Sequence, residues 1–182
     1  MAAAWWWAVP LGVASVGGGL LHLFHRRLRV SLAAPRVAVT GTLEANGVTG
    51  EAVLFPTRRG RWLTGWWLPG GGRGTVVITH GWGANRELML PLARPLQAAG
   101  WNVLLFDARN HGDSAADSFS SMPRFAEDPE AALAWLRARP GMAEAPVALL
   151  GHSVGAAAVL LAASRRDDIG AVVSLSAFAH PD

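Results

Sequence analysis

No stretch of this chain restricts its fold more than Gly151-His152-Ser153-Val154-Gly155. It is a G-x-S-x-G motif, in which a serine is lifted on a sharp turn between a strand and a helix. Such a turn strains the serine backbone and brings neighbouring chain so close that glycine is required two residues to either side. The context agrees. Pro146 to Leu150 (PVALL) reads as a short buried strand, and Gly155 to Ser164 (GAAAVLLAAS) as a helix whose alanines allow tight packing on a sheet. Ser153 is therefore the candidate nucleophile.

The remaining segments extend this pattern. Thr75 to Gly81 (TVVITHG) is a β-branched run that opens into the loop His80-Gly81-Trp82-Gly83, as a buried parallel strand does. Asn85 to Ala99 begins with a capping residue and stops at Gly100, which predicts a helix that Pro91 and Pro95 kink or shorten. Asn102 to Arg109 (NVLLFDAR) predicts a strand, Pro123 to Arg139 a helix, and Ala171 to Ala177 (AVVSLSA) a last strand. Strands alternating with helices imply right-handed crossovers and a parallel sheet covered on both faces. Upstream, Glu51 to Pro56 and Trp62 to Pro69 flank a basic turn at Arg58 to Arg61 and predict an antiparallel hairpin, whose tryptophans suit packing and binding equally.

Three motifs in order, HGWG at 80–83, DARNHGDS at 107–114 and GHSVG at 151–155, make residues Glu51 to Asp182 resemble the α/β-hydrolases, in particular their serine aminopeptidase-like and esterase-like branch. The middle motif resembles D-x-R-G-H-G-x-S, with Asn110 in place of a glycine; Asn tolerates positive φ better than most residues. The resemblance implies an α/β fold with a mostly parallel sheet and helices on both faces. It also implies an acyl-enzyme on Ser153 and an oxyanion hole formed by the backbone N–H groups of Trp82 and Val154, with Gly151 and Gly155 as the elbow glycines. By the same analogy His80, His111 and Asp107 brace loops, His152 is a structural neighbour of the nucleophile, and Arg109 is an internal ion-pair partner. In this family the acid and then the histidine follow the serine on later loops. Downstream of the elbow this chain has only Asp167 and Asp168 in a polar turn, and the pair His180 and Asp182. The fold is therefore expected to be incomplete at its C-terminal side, with AVVSLSA as an exposed, uncharged edge.

The N-terminus is a second signal. Trp5 to Phe24 is 20 residues without a formal charge, and at about 1.5 Å per residue that is about 30 Å, a bilayer core. Trp5, Trp6 and Trp7 stand at one end and Arg26, Arg27 and Arg29 at the other, which predicts a membrane span with the arginines, and the hydrolase domain with them, in the cytoplasm. The expected division is an anchor with its basic flank at 1–29, a linker at 30–48 and a partial hydrolase domain at 49–182.

Charge narrows the partners. Sixteen basic residues face 13 acidic ones for a net +3, but four arginines lie at or before Arg36, so the remainder is close to neutral. No basic stripe interleaved with aromatics points to nucleic acid. There is no cysteine, hence no disulfide or thiol chemistry. No phosphate-binding glycine motif and no metal-ligand cluster is evident, so no cofactor is expected. The expectation is a membrane-anchored serine hydrolase acting on a small or lipid-like ester, thioester or amide. The alternatives are an acyltransferase of the same fold, or a tethered binding module that keeps the elbow without a base.

Overall fold

In a computed structural model, residues 5–31 and 33–178 are described, and the chain divides into two compact units, 1–33 and 34–182. His180 and Asp182 lie outside the described residues, as do the side chains of Trp5, Trp6, Trp7 and Arg29.

The first unit is a single helix, α1 (Trp5–Ser31), so the apolar N-terminal run is helical as expected. The membrane span is not supported. Among the described residues no helix is long and apolar enough to cross a membrane. The physical reason lies in what interrupts the valines and leucines: Gly12, Ser15, Gly17 to Gly19 and His22 dilute them, and Arg26 and Arg27 close the apolar stretch. The cytoplasmic placement of the domain rests on that span alone.

The second unit is a six-stranded sheet in the order β1-β2-β4-β3-β5-β6. Strands β1 (Glu51–Thr57) and β2 (Arg61–Leu68) form the expected hairpin, with Arg59 at φ 63° in the 3-10 turn between them. β2 then pairs antiparallel with β4 (Asn102–Phe106). From there β4, β3 (Thr75–Thr79), β5 (Val147–His152) and β6 (Ala171–Leu175) run parallel. Three helices connect them: α2 (Leu90–Ala98), α3 (Met122–Arg137) and α4 (Val154–Ala163). Pro91 falls in the first turn of α2, where its missing N–H has no intrahelical acceptor to lose, and the helix starts five residues later than the Asn85 signal predicts.

The period-2 pleat divides the core in two. Val77, Leu104, Phe106 and Leu149 meet Ala132, Leu133 and Leu136 of α3 and Val159 of α4 on one face. Val76, Ile78, Val103, Leu105 and Leu150 meet Leu90 and Ala93 of α2 on the other. Every residue of β3 and β4 is buried, which is why those strands read as unbroken apolar runs. Trp66 and Trp67 are buried on opposite faces, in these clusters, so they are core residues and not a binding surface. β6 differs: no residue in it is fully buried, Val173 is 44% exposed, and among the described residues it pairs with β5 alone.

The segment before β1 is not a free linker. Within 34–50, Leu43 and Val48 are buried in the second face of the core with Trp66 and Leu68.

Candidate active site

The parallel register fixes where the motifs meet. Thr79 stands opposite both Phe106 and Gly151, so β3, β4 and β5 end level with one another. Their three following loops, which carry HGWG, DARNHGDS and the elbow, therefore emerge at one edge of the sheet, the carboxyl edge where parallel sheets place their sites.

Ser153 sits between β5 and α4 with φ 56° and ψ −122°, on the positive-φ side that non-glycine residues avoid. Its N–H donates to the Leu175 carbonyl at 2.8 Å, and its own carbonyl accepts from Ala156 at 2.9 Å, so strand β6 and the first turn of α4 hold the strained residue. The elbow glycines have no alternative. A Cβ on Gly151 would lie 2.3 Å from the Gly155 carbonyl oxygen, and one on Gly155 would lie 2.3 Å from that of His80. The HGWG loop crosses directly over the serine, because a Cβ on Gly81 would lie 3.1 Å from Ser153 Cβ. Trp82 follows, 41% exposed as a residue, and neither its main-chain N–H nor that of Val154 is engaged in a backbone hydrogen bond among the described residues. The His152 ring packs against Gly81, with Nδ1 3.2 Å from where a Cβ would be.

The other polar residues of the motifs brace loops. His80 is fully buried; Nδ1 lies 2.7 Å from the Gly81 carbonyl, to which it donates, and Nε2 accepts from the Ala108 N–H at 2.9 Å. Burial pushes its pKa down to about 3, against a smaller upward pull from the Gly81 hydrogen bond, and neighbouring His111 adds to the depression. It is a neutral imidazole with both nitrogens occupied, which is the arrangement of a brace and not of a base. His111 donates from Nδ1 to the Arg109 carbonyl at 2.9 Å, stacks edgewise on Trp82 and Phe125, and is also held neutral by burial. Its Nε2 is buried without a partner among the described residues.

Asp107 anchors two loops at once. Its carboxylate accepts from the backbone N–H groups of Arg86 (2.7 Å) and Asp113 (2.9 Å) and pairs with the Arg86 guanidinium. Gly112, at φ 44°, has no room for a side chain beside that carboxylate. Asn110 takes φ 67°, the conformation expected where the motif has glycine. Arg109 is the centre of an ion cluster, bonding Asp128 and Glu127 at 2.7 Å each and Asp117 at 3.3 Å.

Sequence reading missed Arg86, Asp128 and the strap 35–40, described below. Arg86 pairs with Asp107 and Asp113 and stacks over Trp66, and Asp128 on α3 accepts from Arg109 and Thr57. An arginine after a predicted cap, or an aspartate inside a predicted helix, carries no local signal for a partner some twenty residues away.

A mixed sheet with a serine on a strained strand-to-helix elbow, crossed by the loop of a neighbouring parallel strand, defines an α/β-hydrolase. The chain belongs to that family: residues 71–182 match the family described as Serine aminopeptidase, S33. Among curated relatives, the polyketide transferase af380 of Aspergillus fumigatus is 34% identical over 136 residues, covering 72% of this chain and 47% of that protein. The thiohydrolase aneE of Aspergillus aculeatus is 33% identical over 108 residues, 55% of this chain and 32% of the relative. The esterase Pf2001 of Pyrococcus furiosus superposes with a TM-score of 0.72 at 28% identity, over 79% of this chain and 58% of its own. The chain thus spans about half the length of the polyketide transferase and the esterase that it matches.

Proposed function

We propose that this chain carries the nucleophile and oxyanion hole of a serine hydrolase that acts on small carboxylic esters or thioesters. The observation that carries the reading is the geometry of Ser153: positive φ, flanked by glycines that admit no side chain, under a loop whose Trp82 N–H is unengaged among the described residues. Ser153 Oγ attacks the acyl carbonyl and the negative charge that develops on its oxygen is met by the N–H groups of Trp82 and Val154. The alcohol or thiol then leaves with a proton, and water hydrolyses the acyl-enzyme, returning the serine hydroxyl. Electrostatic stabilisation of this kind is worth about 10²- to 10³-fold per donor. The thioester alternative draws support from the thiohydrolase relative.

A fluorophosphonate tests the nucleophile, since Ser153 Oγ displaces fluoride and forms an O–P bond. In the chain extended by the C-terminal segment of an esterase relative, the label is expected on Ser153, and Ser153→Ala is expected to remove it. Equal labelling of the alanine variant would place the nucleophile elsewhere.

A second reading, acyl transfer to an acceptor other than water, draws support from the polyketide transferase relative. It uses the same residues, and analysis of products with and without an added alcohol separates the two.

A further inference from the structure

Residues 35–40 cross the outside of the loop that joins β3 to α2, and three contacts fasten them there. Pro35 covers Gly83, where φ is 69° and a Cβ would stand 2.8 Å from Pro35 Cγ. The Asn85 carboxamide, 1% exposed, donates from Nδ2 to the carbonyls of Val37 (3.2 Å) and Ala38 (3.0 Å) and accepts from the Leu88 N–H at 3.2 Å. Glu87 accepts from the Thr40 N–H at 2.8 Å and from Asn46 Nδ2 at 3.3 Å. On its inner side the same loop is tied to Asp107 through the Arg86 N–H.

The Trp82 main chain lies between these fastenings with no hydrogen bond of its own among the described residues; Ala84 closes a turn onto Gly81 at 3.2 Å, and the indole meets the His111 ring edge-on. The direction of the Trp82 N–H is therefore set by the residues on either side: Gly81, packed on Ser153, and Gly83 with Asn85, held by the strap. We infer that residues 35–40 position the Trp82 N–H over Ser153, with Asn85 as the buried fastening and a positioning residue for the oxyanion hole. The inference rests on the proposed acyl chemistry for its consequence, and on the hydrogen bonds alone for its geometry.

Two variants separate positioning from bulk. Asn85→Asp keeps size and shape and still accepts from Leu88, but its oxygens repel the carbonyls of Val37 and Ala38 where Nδ2 donated. Glu87→Ala loosens the strap from a half-buried position outside the hydrophobic core. In the 182-residue chain, hydrogen exchange of the bonded amides of Ala84 and Arg86 is expected to rise about 10-fold or more in Asn85→Asp and less in Glu87→Ala, with β3, β4 and β5 unchanged. Unchanged exchange at Ala84 and Arg86 in both variants overturns the inference. So does a rise spread evenly over the three strands, since that marks lost global stability.

A second readout follows the chemistry. Oxyanion donors leave a residual acceleration even when the general base is missing, so slow phosphonylation of Ser153, followed by intact mass, reports the hole itself. Its limiting rate is expected to fall about 10-fold in Asn85→Asp while half-saturation stays within about twofold, because the donor acts on the transition state. A fall through half-saturation alone overturns the positioning role. Absence of any Ser153-dependent labelling in the unaltered chain defeats the proposed chemistry, and the exchange result then decides the strap independently.

Discussion

Ser153 holds a conformation that costs about 1–3 kcal/mol in a residue with a Cβ. Relieving the strain should then stabilise the fold while removing the chemistry. Ser153→Gly is expected to gain about 1 kcal/mol, less than the full strain because glycine adds about 0.5–1 kcal/mol of unfolded-state entropy. Urea midpoints check it, and a midpoint below that of the unaltered chain would mean that the elbow is unstrained. His80 makes a prediction of the other kind. Its folded pKa of about 3 lies below the ordinary 6.5, so the unfolded chain takes up a proton that the folded one refuses. The associated stability is complete above pH 6.5 and is lost as pH falls towards 3. At pH 5 the loss is about 2 kcal/mol at 1.36 kcal/mol per pH unit. Buried Asp128, raised to about 6, works in the opposite direction between about pH 6 and 4. Comparison with His80→Gln removes that contribution, since both proteins keep Asp128. The stability difference between them should shrink by about 2 kcal/mol from pH 7 to pH 5 in urea titrations. A constant difference would show that His80 titrates normally.

At the scale of elements, what could be read from the sequence was whatever local pattern encodes. β3, β4 and β5 announce themselves because burial on both faces leaves no polar residue in their centres, and the elbow because Gly151 and Gly155 have no substitute. Boundaries shifted where a proline or a loop intervened, as at Leu90, which begins α2 after a 3-10 turn (Glu87–Met89). α1 was legible as a helix, and the reading of it as a span fails on apolarity and not on length, since Gly12, Ser15, Gly17 to Gly19 and His22 dilute its 27 residues. The strap was illegible. Its fastenings are side-chain bonds to main-chain atoms 47 or 48 residues away, and the buried residues that follow it, Leu43 and Val48, stand among Thr42, Glu44, Asn46 and Gly47 without any period. A linker would tolerate Leu43→Ala within about 0.5 kcal/mol, whereas a leucine packed on Trp66 and Leu68 loses about 2–3 kcal/mol. Chemical denaturation distinguishes these, and a cost below about 0.5 kcal/mol would return the segment to a linker.

For the whole molecule, the elbow and its facing loop are in place, and among the described residues no imidazole bonds Ser153 while His80 and His111 are both neutral braces. The relatives that share this half of the fold are about twice as long as the part matched here. A serine hydroxyl without its imidazole forfeits about a millionfold in turnover, roughly as much as losing the whole triad, and at about 1.4 kcal/mol per decade that is about 8 kcal/mol of barrier. The 182-residue chain is accordingly expected to hydrolyse p-nitrophenyl acetate close to the rate of buffer, with a small Ser153-dependent excess from the Trp82 and Val154 donors. His180→Ala and Asp182→Asn are expected to leave that excess unchanged. Fast turnover that vanishes in Ser153→Ala and in both of those variants would instead assign the base to His180 and its orienting carboxylate to Asp182, an in-chain dyad directly beyond β6.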